Sequence, residues 1–189
     1  MSEKFTMFWS GVFSQWQISK FTVSFNDTNK NPRFNVLKIH QYSFDDFLDT
    51  IEYDLPIHFK ISPNRTVEFN CAEQFMMFMK AIIFEDYNIA KKILLADHPR
   101  DQKALDREVK NYNDEVWQSV AKDVVYVGSY CKYTQDEYLM NKLLLALNRD
   151  TWQGTNWLGE VLTDLRNDYI RDNGLSVTPV SKTTTNICE

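Results

Sequence analysis

The sequence predicts a mainly helical α+β fold, a single compact domain with a short N-terminal strand region. Strand-like alternation is confined to the part before residue 70, where Phe21, Val23 and Phe25, and later Val67 and Phe69, alternate with polar residues. Beyond it, apolar residues recur at helical spacing in one segment after another. Strands first and helices after is the order of an α+β domain, not of alternating βα units. A chain of 189 residues with 14% aromatics and only five glycines and five prolines can bury one sizeable core.

Taken in order, residues 5–16 (FTMFWSGVFSQW) are aromatic-rich, with Gly11 as a turn point. Residues 21–25 follow as a half-buried strand, and NDTNKNP, 26–32, is a loop. Between 34 and 59 the signals are mixed: DDFLDTI is briefly helical and IHFKI alternates like a strand. SPNR, 62–65, is a turn before the strand at Val67 and Phe69. Residues 87–95 are a helix that stops ahead of His98-Pro99, and 100–109 form a polar helix whose charges read as a solvated face. Asn113 or Asp114 caps the next helix, which carries Val116, Trp117, Val120, Val124, Tyr126 and Val127. Residues 135–147 are an amphipathic helix, 152–154 a turn, and Thr155 or Asn156 starts a last helix running to about residue 171. The domain is expected over 1–171, with 24–66 as an insert and 172–189, rich in Ser and Thr, as a flexible tail.

Composition excludes several classes. A formal charge of −5 argues against a generic nucleic-acid grip, which needs a basic stripe, while a small phosphate pocket stays open. Cys71, Cys131 and Cys188 give neither a disulfide framework nor a zinc site, and His40, His58 and His98 form no ligand pair. No signal peptide or membrane-length apolar run is read, so a cytoplasmic setting is expected. Glycine-rich phosphate loops and the GxSxG elbow are absent from the sequence.

The chemistry gathers in residues 67–86, VEFNCAEQFMMFMKAIIFED, read as a helix that Asn70 caps. Residues 75–79 are all apolar, which predicts burial. Glu73 and Lys80 are the ionisable residues of that body. Seven residues advance nearly two turns, so both lie on one face, about 10.5 Å apart along the axis. That is too far for a direct pair and suits a sugar or base held between an acid and an amine. Two plainer roles stand beside this: Glu73 as a capping-box partner, and Lys80 as a lysine reaching water along its stem.

Four segments, in order, resemble the NADAR family, also called YbiA-like. They are FWSGVFSQW (8–16), EFNCAEQFMMFMKAIIFED (68–86), KNYNDEVWQSVAKDVVYVGSYCKYTQDEYLMNKLLLAL (110–147) and TWQGTNWLGEVLTDLR (151–166). The resemblance implies an N-glycosidase that cleaves ribose, as ribose phosphate or ADP-ribose, from an exocyclic amine. The base is an aminopyrimidine intermediate of riboflavin synthesis or a guanine, free or in nucleic acid. Glu73 matches the family's catalytic glutamate and Lys80 its reactive lysine. Gly11, Phe13, Ser14, Trp117, Trp152 and Asn156 match substrate-binding positions, and Gln15 stands where Asn is usual. A lysine in an apolar helix, where the ammonium is disfavoured, suits a Schiff-base route. No metal, cofactor or membrane partner is implied.

The resemblance also implies a loop bearing Asp and Trp-Gly-Xaa-Gly between Leu147 and Trp152, where only residues 148–151 stand. Four residues span at most about 14 Å. The expectation is a break in the chain between Asn148 and Arg149. A normal bond there would favour the alternative, a non-catalytic descendant that binds ADP-ribose-like ligands.

Overall fold

The computed structural model describes residues 11–27, 29, 31–38, 47, 65–145 and 157–175. Strands β1 (Phe21–Ser24) and β2 (Thr66–Phe69) pair antiparallel, with Phe21 opposite Phe69 and Ser24 opposite Thr66. Six α-helices follow among these residues: α1 (Ala72–Ile83), α2 (Tyr87–Leu95), α3 (Pro99–Asp106), α4 (Asp114–Thr134), α5 (Glu137–Leu145) and α6 (Trp157–Asp172). The mainly helical α+β architecture read from the sequence is the one observed. No helix among the described residues is long and apolar enough to cross a membrane.

Helix α1 lies at the centre, against α2, α3 and α4, with β2 running into its start. Its apolar body explains this. Phe75, Phe78, Met77 and Met79 are buried, and Phe69 meets Phe75 and Phe78 edge-on at centroid distances of 5.2 and 5.4 Å. Aromatic edge contacts of this kind add to the area they bury. Helix α4 is the second axis of the core and contacts α1, α5, α6 and β1. Gly128 allows α4 to approach α1: a Cβ there would lie 2.5 Å from the Phe75 ring.

Three local readings are corrected. The chain is strand over Thr66–Phe69, so the helix begins later and its cap is Cys71, not Asn70; Cys71 Sγ accepts from the Gln74 N–H at 3.4 Å. Gln74 reaches back to accept the Asn70 N–H at 2.7 Å, so the capping partner is Gln74 and Glu73 takes no part. The polar helix at 100–109 is α3, and it is not simply a solvated face: Gln102 and Asp106 are buried against α1. The Asn113 cap agrees with the sequence, since Asn113 accepts from Val116 N–H at 3.0 Å at the head of α4; the start expected at Thr155 or Asn156 lies outside the described residues.

Residues 24–66 leave and rejoin the sheet at one point, the Ser24–Thr66 pair. Their first part is a 3-10 helix, Pro32–Lys38, whose Phe34, Val36 and Leu37 are buried, and it packs on α4. Arg33 binds Asp164 of α6 at 2.8 Å, and Asn31 donates to both Tyr126 and Asp168. The insert therefore ties α4 to α6. Within it, residues 28, 30, 39–46 and 48–64 lie outside the described residues, as do the 148–151 link and the tail beyond 175.

Candidate active site

Three segments meet at the two ends of α1. The first is the N-terminal turn at 11–17. It is closed by Ser14 N–H to Gly11 carbonyl at 2.9 Å and by Trp16 N–H to Ser14 Oγ at 3.1 Å. Ser14 is buried, and Phe13 stacks on Tyr133 of α4 at a centroid distance of 6.4 Å. Helix α4 grips this turn with residues one helical turn apart. The Lys132 ammonium donates to the carbonyls of Ser14 and Gln17 at 3.2 and 3.4 Å. The Gln15 amide reaches Ser129 Oγ at 3.5 Å, the limit of a hydrogen bond.

The turn in turn fixes the start of α1, because the Gln15 carbonyl accepts the Glu73 N–H at 3.0 Å. That backbone amide is one of the four a helix leaves unpaired at its N-terminus. The Glu73 carboxylate is only 6% exposed and pairs with Lys103 of α3 at 3.2 Å. Its Oε1 has no aligned hydrogen bond among the described residues. Glu73 thus presents a buried and sparsely held carboxylate at the N-terminal end of α1.

At the other end of α1, Lys80 lies in a slot of one carboxylate and two rings. Its Nζ is 2.8 Å from Asp106 Oδ1, 4.3 Å from the Tyr112 ring centre and 5.7 Å from that of Trp117. Burial among apolar neighbours was the sequence expectation for this amine. The surroundings are instead those that attract an ammonium, an anion and the negative faces of aromatic rings. Tyr112 is held by Phe84, edge-on at 5.2 Å, and donates to Asp114 at 2.7 Å. That bond to a carboxylate raises the Tyr112 phenol above its ordinary range.

Of the residues singled out in the sequence, Gly11, Phe13, Ser14 and Gln15 form the turn that anchors Glu73, and Trp117 stands by Lys80. Trp152 and Asn156 lie outside the described residues. Lys103, Asp106, Tyr112 and Lys132 were missed. Lys103 and Asp106 are three apart on α3, so they share a face, and their charges oppose those of Glu73 and Lys80. That complementarity was the available signal. Lys132 is 1% exposed and burial pushes its amine down to about 8. Among the described residues, no cluster of three or more His, Cys, Asp or Glu could hold a metal ion.

Comparison with known proteins adds a family and two relatives. The NADAR domain matches residues 5–149. Protein irg-1 of Caenorhabditis elegans is 29% identical over 132 residues, covering 55% of this chain and 62% of that protein. The chain thus spans less than two thirds of the nematode protein. N-glycosidase R617 of Acanthamoeba polyphaga mimivirus is 29% identical over 141 residues, covering 60% of this chain and 83% of the viral protein.

Proposed function

From the premise that the chain belongs to the NADAR family, we propose that it is an N-glycosidase that separates ribose from an exocyclic amine of a base through a Schiff base on Lys80. The observation that carries this reading is the pairing of a buried, sparsely bonded Glu73 with the aromatic-walled amine of Lys80 on one helix. The relative named as an N-glycosidase supports the reaction class.

An exocyclic N-riboside is a glycosylamine. Its nitrogen lone pair can expel the ring oxygen and leave an iminium at C1, if an acid supplies a proton to that oxygen. Glu73 fills that role, and as the carboxylate it later draws a proton from the water that attacks C1. Acid–base help of this kind is worth about 10²–10⁴-fold. Lys80 adds to C1, which divides one hard substitution into two easier steps. The rings of Tyr112 and Trp117 offer flat faces beside the amine for a planar base or the sugar. The substrates that suit this chemistry are a ribosylamino-pyrimidine phosphate of riboflavin synthesis and an ADP-ribosylated guanine.

The test is turnover of both compounds, followed as release of free base, with borohydride added during the reaction. Reductive capture of the sugar on Lys80 is the expected result. Binding of ADP-ribose without release of base would replace the enzyme by the binding-only alternative, which the short 148–151 link favours.

A further inference from the structure

The Nζ of Lys80 and Oδ1 of Asp106 stand 2.8 Å apart, with side chains only 13% and 9% exposed. We propose that Asp106 is a catalytic residue, the base that takes a proton from the Lys80 ammonium to free its amine for attack and returns one when the sugar is released. This rests on the Schiff-base reading above.

An ammonium has no lone pair, so a lysine nucleophile needs a proton acceptor. Glu73 is paired with Lys103 and forms no ion pair with Nζ, whereas Asp106 does. Among the described residues, the other groups facing Nζ are the ring of Tyr112, whose hydroxyl donates to Asp114, and the ring of Trp117. Among the described residues, Asp106 is the one whose carboxylate oxygen meets Nζ, at 2.8 Å and without an aligned hydrogen bond in this resting arrangement. Substrate that covers this slot removes water from both charges. Desolvation disfavours the ion pair relative to the neutral amine and acid, so the proton crosses when the nucleophile is needed.

The step balances. Asp106 accepts one proton from Nζ. The Nζ lone pair bonds to C1 of the ring-opened iminium, and a second Nζ proton passes to the exocyclic nitrogen. That nitrogen leaves as a neutral amine when its bond to C1 breaks, and a protonated Schiff base remains. Water adds to C1 and loses a proton to Glu73, and Asp106 returns its proton to Nζ. The C1–Nζ bond then breaks as the new hydroxyl becomes an aldehyde, and the hydroxyl proton passes through Asp106 to restore the ammonium.

Asp106→Asn keeps the shape and removes the acceptor. Measured on the two substrates named above, its kcat at pH 7 is expected to fall about 100-fold. It should then climb as pH rises toward the ordinary lysine range of about 10.4 and recover most of that loss, with KM little changed. Borohydride capture on Lys80 should follow the same profile. Asp106→Gly with formate supplied as a replacement acceptor should recover turnover, a readout that a purely structural role would not move. If Asp106→Asn melts out, this formate series decides the question alone, and no recovery overturns the proposal. Turnover of Asp106→Asn equal to or above the unmodified protein at pH 7 would show that Asp106 only holds the ammonium, and overturns it too. Either result with Lys80 still captured in the unmodified protein leaves the Schiff base standing. Turnover without any capture on Lys80, or no turnover at all, removes the Schiff-base reading and Asp106 with it.

Discussion

The backbone N–H of Glu73 donates to the carbonyl oxygen of Gln15 at 3.0 Å, so the N-terminal turn and the start of α1 are one structural unit. Glu73 is thereby positioned through its main chain, independently of its carboxylate. The side chain can be changed without moving the helix.

Glu73→Gln should therefore fold normally and turn over at least about 100-fold more slowly, since it loses the ionisable group and keeps the backbone hydrogen bond to the Gln15 carbonyl. Thermal melting and base release, measured on the same preparation, check both halves. A variant with full turnover would leave Glu73 as no more than the partner of Lys103.

Gly128→Ala should destabilise the protein. Alanine gains about 1 kcal/mol of helix propensity over glycine. Against this, its Cβ would lie 2.5 Å from Cδ1 of Phe75, a ring packed among Phe69 and Phe21 with little room to retreat. Overpacking of this sort costs about 1–3 kcal/mol, so the overlap outweighs the propensity. A lower urea midpoint is the expected measurement, and a higher one would mean that α4 can shift away from α1.

Lys132 should make stability rise with pH. Its amine is held down to about 8 in the folded protein by burial, against an ordinary value of 10.5. Between those values the unfolded chain binds the proton and the folded one does not, so raising pH favours the fold. Below about 8 both states are protonated and the full cost of the buried ammonium is present. Denaturant unfolding from pH 7 to 10.5, compared with Lys132→Met, isolates this contribution. Across that window the native protein should gain on the order of 3 kcal/mol relative to the variant. A constant difference would mean that the ammonium is as comfortable inside as in water.

What could be read in the sequence divides along physical lines. Residues 87–95 and the Asn113 cap were legible because both are set within a few residues of chain. Glu73 and Lys80 stood out because a charge in an apolar helix is conspicuous. Lys103 and Asp106 were illegible for the opposite reason. On an isolated α3 they are ordinary surface charges, and only the packing of α3 on α1 turns them into partners. The Cys71 cap was hidden by Asn70, a better capping residue by type, because pairing with β1 holds the chain as strand through Phe69. Lys132 gave no local sign, since its two carbonyl acceptors belong to a turn far away in sequence.

The Ser24–Thr66 pair makes the intervening chain a cassette. Antiparallel partners sit about 4.5–5.5 Å apart at Cα, so whatever connects them starts and finishes at the same doorway. Doubling the length of a flexible connection costs only about 0.6 kcal/mol in closure entropy. The two strands act as a bulkhead: lengthening the connection on one side costs little closure entropy, and on the other Gln15 and Glu73 keep their hydrogen bond. Any grafted segment would need to retain Asn31, Arg33 and the buried face of Pro32–Lys38, which grip α4 and α6, and also Phe47, which stacks on Tyr87 at 4.9 Å and packs on Phe78. Between those fixed points, the length of the connection is what this scaffold can vary most cheaply.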